Sequence, residues 1–174
     1  TKEMLKVALS ASGATHASAA SFNNHWGVPL TLARMPRETA FGVFEIGMNH
    51  AGEITPLTGM VQPHVAIITT IAASHLGNFD SLDGIADAKA EIFTGVVKGG
   101  HAVISRDTPY FERLAAAAKA CGITDIVSFG KHAEADVRME QVALHADCCC
   151  VTASVFGETV IYKLGLPGEH MAVN

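Results

Sequence analysis

Alternation is the feature that most constrains this chain. Four short apolar runs, at 41–46, 65–71, 102–104 and 126–129, are separated by helical patterns at 53–61, 82–97 and 109–121. Apolar runs of that length suit buried parallel strands. Strands that alternate with helices predict βαβ units and an open α/β sheet. The final third changes character. Residues 137–144, 149–156 and 159–164 read as strands with no helix between them, and Gly157-Glu158 sits where a two-residue hairpin turn belongs. The expected fold is therefore α/β, a mostly parallel sheet flanked by helices, with a small antiparallel β-meander near the C-terminus.

Composition supports a packed domain. Of 174 residues, 49% are hydrophobic and 17% are charged, which excludes a disordered chain and suits one domain with one core. No apolar run approaches the ~18 residues of a membrane span, and the opening TKEMLKVALSAS has no charged segment leading into an apolar leader. A net charge of −5 without a basic, aromatic-laced stripe argues against nucleic acid as a partner. Cys148, Cys149 and Cys150 are consecutive, so strand geometry points neighbours to opposite faces; with Cys121 they read as small apolar residues in a reduced, cytoplasmic protein.

Both ends begin or stop abruptly. Residues 1–12 read as an amphipathic helix with Met4, Leu5, Ala8 and Leu9 on one face. LPGEHMAVN reads as a turn entering a helix. The expectation is a fragment of a larger fold.

Several residues break the apolar pattern in ways that suggest chemistry. Glu45 lies near the end of the first run, where ligand crevices of open α/β sheets lie. It suits a metal ligand there, or a carboxylate that caps the next helix or faces water. His75 follows the second run in the same way; if the two strands are neighbours, both residues emerge at one rim. Lys89 falls on a stripe with Ile85, Ile92 and Val96 when the 82–97 segment is wound at 100° per residue. A lysine in the middle of a buried stripe needs a partner, a modification that removes its charge, or a snorkelling stem. FNNHWGVP gathers amide, imidazole and indole donors before a Gly-x-Pro turn, as a polar substrate loop or an ordinary connector does. Asn49 and His50 open the next helix, whose backbone amides could meet an anion. Neither GxxxxGK[ST] nor GxGxxG occurs.

FNNHWGVPLTL, FEIGMNHAGEI, HVAIITTIAASHL, AKAEIF and LPGEHMAVN occur in that order. Together they resemble the P-loop-type central domain of the Mur ligase family, in particular its D-alanyl-D-alanine-adding branch. The resemblance runs over nearly all of residues 1–174 and is strongest at 22–93. It implies an ATP- and magnesium-dependent ligase of peptidoglycan precursor synthesis, joining D-alanyl-D-alanine to UDP-N-acetylmuramoyl-tripeptide through an acyl phosphate. By the resemblance, Glu45 and His75 bind magnesium and Lys89 is carbamylated to a third metal ligand. Asn23, Asn24, Asn49 and His50 face the muramoyl substrate. Asn174, with His170, contacts adenine, and Met171 departs from a second asparagine found there in many relatives. The family's phosphate loop, its N-terminal UDP-binding domain and its C-terminal domain are absent from these residues, so the 174-residue piece alone is expected to be inactive. Alternatives are another Mur-type ligase (third-residue-adding or folylpolyglutamate synthetase) and a non-catalytic binding module that has lost the nucleotide site.

Overall fold

The computed structural model describes residues 1–73, 76–165 and 167–173. These residues group into two compact units, 1–64 with 72–97, and 65–71 with 98–174.

In the first unit the order is α1 (Lys2–Ser10), β1 (Thr15–Ala17), α2 (Gly27–Ala33), β2 (Phe41–Val43), α3 (Ile54–Val61), α4 (Leu82–Ala90) and a 3-10 turn, η (Glu91–Gly95). β1 and β2 pair in parallel, with His16 opposite Gly42. The Gly-Val-Pro expected as a turn instead opens α2. Pro29 lies in the first turn, where a helix has no intrahelical use for an N–H. Val28 and Thr31 of that helix are buried. α3 ends at Gln62, whose left-handed backbone (φ 48°) lets its N–H reach the Thr58 carbonyl at 2.8 Å.

The helix expected over 82–97 divides. Ser81 caps α4 through the Gly84 N–H at 3.2 Å, but regular α-helix stops at Ala90. The tighter 3-10 winding that follows turns each residue through more than 100°. Phe93, 1% exposed, therefore enters the core in place of Ile92. The stripe of Ile85, Lys89, Ile92 and Val96 does not persist; the buried residues of α4 are Ile85, Ala86 and Ala88, with Lys89 at their flank, half-buried. The turn packs on α3 at Gly95. A Cβ there would lie 2.4 Å from the Thr58 carbonyl group, so only glycine fits the approach.

The second unit holds a six-stranded sheet in sequence order: β3 (Val65–Ile68), β4 (His101–Ser105), β5 (Asp125–Gly130), β6 (Val137–Leu144), β7 (Cys149–Val155) and β8 (Glu158–Leu164). β3 through β6 pair in parallel, and β6, β7 and β8 form the antiparallel meander. α5 (Phe111–Ala120) follows β4 and stops at Gly122, φ 84°. Its end is closed by Gly122 N–H to Lys119 and Ile123 N–H to Ala118 carbonyls, with Ile123 buried behind them. The β7–β8 turn is Phe156-Gly157, one residue before the expected position. Both residues take positive φ (50° and 89°), as a tight two-residue hairpin requires. Cys149 and Cys150 do alternate: Cys149 is fully buried with Val151, Ala153 and Ala172 of α6 (Glu169–Val173), and Cys150 is half-buried. All four cysteines are free thiols. No helix among the described residues is long and apolar enough to cross a membrane.

Candidate active site

The first unit carries the polar constellation. Just beyond β2, Glu45 is half-buried, and its Oε1 accepts a hydrogen bond from Asn23 Nδ2 at 2.8 Å. The loop that bears Asn23 is fastened at several points. The Lys2 ammonium donates to the carbonyls of Ser18 and Ala20 at 2.8 and 2.9 Å. Gly47 N–H donates to the Asn23 carbonyl at 2.8 Å. Asn24 Oδ1 accepts from the N–H groups of Trp26 and Gly27 at 3.1 and 3.0 Å, so this side-chain oxygen opens α2. Asn23, Asn24 and Asn49 line one cavity of about 470 Å³, with Gly47, Met48 and Glu53 also on its wall.

The N-terminal amides of α3, expected to be open to an anion, are taken by one of the chain's own carboxylates, Glu91, and the helix starts at Ile54, after the Asn49-His50 segment expected to open it. Glu53 accepts from Asn49 N–H at 2.7 Å and pairs with His50 Nδ1 at 3.1 Å. The Asn49 N–H first, and then the His50 ring, hold the Glu53 carboxyl below the usual carboxylate range. Glu91 reaches across from the start of the 3-10 turn. One of its oxygens takes Gly52 N–H at 2.5 Å; the other takes the Ile54 and Thr55 N–H groups and the Thr55 hydroxyl at 3.1–3.2 Å. Negative charge at a helix N-terminus is favourable, so Glu91 fills the place in which a ligand anion was expected. Sequence reasoning missed Glu91 and Gly47. The signal for Glu91 was present in AKAEIF, where an acid stands two residues after the odd lysine; the partner segment, 36–39 residues away, was not visible.

Lys89 stands at the last turn of α4, two residues before Glu91. Among the described residues its ammonium has no hydrogen-bond or ion-pair partner. Burial alone pushes its pKa below the ordinary lysine value, which raises the fraction of free amine at neutral pH.

Glu45 and His75 were expected at a shared rim if their strands paired. The strands belong to different sheets: β2 pairs with β1, and β3 with β4. His75 and Asn174 lie outside the described residues, as does the side chain of His170. Met171 is half-buried on α6. The structure therefore brings together Glu45, Asn23, Asn24 and Asn49, with His50 beside Glu53.

Magnesium takes oxygen ligands, keeps several waters and uses one or two carboxylates together with substrate phosphates. Glu45 fits that need: one oxygen is held by Asn23, and the other has no partner among the described residues. No three His, Cys, Asp or Glu side chains among the described residues converge as a protein-only cage. Lys89 as an ammonium cannot be a ligand; as a carbamate it offers oxygens.

A family model for the Mur ligase middle domain matches residues 1–174. The UDP-N-acetylmuramoyl-tripeptide–D-alanyl-D-alanine ligase of Rickettsia prowazekii is 38% identical over 139 residues, 80% of this chain and 31% of that protein. A crystal structure of MurF from Acinetobacter baumannii superposes with a TM-score of 0.91 at 33% identity, over 98% of this chain and 37% of the other. MurF of Thermotoga maritima in complex with ADP shares the fold, with a TM-score of 0.86 at 20% identity over 99% of this chain and 39% of that one. The chain thus spans about a third of the length of these proteins. The match of the family model along residues 1–174 shows that this chain belongs to the Mur ligase family, as a middle domain.

Proposed function

We propose that this domain handles ATP in a ligase of the bacterial cytoplasm that joins D-alanyl-D-alanine to UDP-N-acetylmuramoyl-tripeptide. The observation that carries the reading is the Glu45 carboxylate, held by Asn23 beside the asparagine-lined cavity, in a chain whose relatives carry that ligase name. The ADP held by the Thermotoga relative of the same fold agrees with a nucleotide site.

In this reading the tripeptide's terminal carboxylate attacks the γ-phosphorus of ATP, and ADP leaves. The amine of D-alanyl-D-alanine then attacks the acyl phosphate carbonyl, an amide bond forms, and phosphate leaves with a proton lost from nitrogen. Magnesium, when bound, neutralises charge on the phosphate oxygens. The chain's part is to position and to stabilise charge. Glu45 and His75 would hold the ion. The Lys89 amine would add to carbon dioxide, forming a C–N bond and releasing a proton, and its carbamate would supply a further oxygen ligand. Desolvation favours this chemistry because only the free amine is nucleophilic. Asn24, Asn49 and His50 would face the muramoyl substrate, on the loop segments that flank Asn23 and Glu45. Asn174 and His170 would meet adenine, with Met171 in place of a second amide.

The test is ADP release by the full protein that carries this domain, with ATP and magnesium. The proposal expects turnover with UDP-N-acetylmuramoyl-tripeptide plus D-alanyl-D-alanine. Turnover instead with the muramoyl dipeptide plus a diamino acid, or with a folate plus glutamate, would move the chain to another branch. No turnover with any pair would favour a non-catalytic module.

A further inference from the structure

We infer that Asn23 is a positioning residue for the Glu45 carboxylate, and that Gly47 is glycine so that the Asn23 amide can reach it. This rests on the reading of Glu45 as a magnesium ligand.

Asn23 is wedged rather than merely nearby. Its backbone carbonyl accepts the Gly47 N–H at 2.8 Å while its side-chain amide donates to Glu45 Oε1 at 2.8 Å. A Cβ on residue 47 would stand 3.0 Å from Asn23 Nδ2 and 3.1 Å from its Cγ, tighter than ordinary contact. The loop cannot slide to relieve such a contact. Lys2 fixes it upstream at Ser18 and Ala20. Downstream, Asn24 is bonded to the start of α2. The turn is also closed from within: a Cβ on Gly27 would lie 2.4 Å from the Phe22 carbonyl carbon.

The chemistry suits the geometry. A carboxylate with one oxygen pinned presents the other in a fixed direction, which lowers the ordering cost of taking a cation. An amide N–H does this without positive charge, so it does not compete with the ion as lysine or arginine would. Partners of this kind commonly set metal affinity by about 10–100-fold. The Asn23 amide nitrogen is thus assigned to Glu45, not to the substrate.

The experiment measures Mn2+ binding by electron paramagnetic resonance in the full protein with a non-hydrolysable ATP analogue. Variants are Glu45→Ala, Asn23→Ala, Asn23→Leu (which keeps the shape and removes the donor) and Gly47→Ala. Circular dichroism checks folding, and the KM for the muramoyl substrate is measured alongside. Expected are loss of Mn2+ affinity for Glu45→Ala and a fall of about 10–100-fold for both Asn23 variants. A smaller fall is expected for Gly47→Ala, with the muramoyl KM changed less than the Mn2+ affinity throughout. Asn23 variants that bind Mn2+ within about twofold of wild type while the muramoyl KM rises would overturn the inference and make Asn23 a substrate contact. If Glu45→Ala also binds Mn2+ normally, the metal-ligand reading fails first and the inference falls with it.

Discussion

Removing the Glu91 carboxylate tests how the wall of the cavity is held. In Glu91→Ala, four donors lose their acceptor: the N–H groups of Gly52, Ile54 and Thr55, and the Thr55 hydroxyl. They are not equal. Gly52 and Thr55 are exposed, so water replaces the carboxylate there at a cost of a few tenths of a kcal/mol each. Ile54 is 3% exposed, and its amide is left without a partner, which costs about 1–3 kcal/mol. Loss of negative charge at the N-terminus of α3 adds about 0.3–1 kcal/mol. The total is about 2–4 kcal/mol. In a domain of 174 residues each kcal/mol shifts Tm by about 2–4 °C, so a fall of about 4–16 °C is expected. Glu91→Gln keeps one carbonyl oxygen but turns an NH2 towards an N–H, and should fall between. Urea unfolding followed by circular dichroism gives the energy, and hydrogen exchange at the Ile54 amide gives the location. A destabilisation under about 0.5 kcal/mol, the range of ordinary surface changes, with the Ile54 amide still protected, would refute the reasoning.

Other predictions follow from single contacts. Gly27→Ala sets a Cβ 2.4 and 2.5 Å from Phe22 backbone atoms. Overpacking of that kind costs about 1–3 kcal/mol, which a thermal melt will read as a lowered Tm. Lys89 has a folded pKa below its unfolded value of 10.5. The unfolded chain therefore binds more protons between the two values, and stability rises with pH across that window; Lys89→Met should flatten this alkaline rise in urea midpoints taken at successive pH values. Asp136 is depressed chiefly by the Ser128 hydroxyl, at 2.6 Å, and then by the Ser128 N–H. Its contribution is complete above the ordinary value of 3.8 and is lost as pH falls through the lower folded value. Asp136→Asn should therefore weaken the acid-side dependence, measured as unfolding midpoints below pH 5 on the scale where ordinary carboxylates titrate at about 4.

Periodicity made much of the second unit legible. The β6 strand begins and ends at Val137 and Leu144 as expected, because its patterning and the turn signals beside it agree. The β7–β8 turn moved by one residue because Phe156, a poor guide to positive φ, takes a left-handed backbone beside Gly157. The first unit was harder to read. A stripe drawn at one helical pitch could not foresee that α4 tightens at Glu91, since the cause is a contact with α3 at Gly95 and Thr58, distant in sequence. Pro29 suggested a turn, although a proline in a first helical turn is equally at home. At the site, Glu45 stood out as a carboxylate among apolar neighbours. Its partner Asn23 did not, because a hydrogen bond across 22 residues leaves no local pattern. The occupation of the α3 amides by Glu91 was hidden for the same reason.

The ligase proposed to contain this domain activates a carboxylate as an acyl phosphate. The most direct measurement labels the terminal carboxylate of the muramoyl tripeptide with 18O and follows the label during turnover of the full protein with ATP and D-alanyl-D-alanine. Attack of that carboxylate on the γ-phosphate, followed by displacement by the amine, leaves one labelled oxygen in the released inorganic phosphate, and this is the result expected. Phosphate released without label, or label recovered in AMP, would contradict the account.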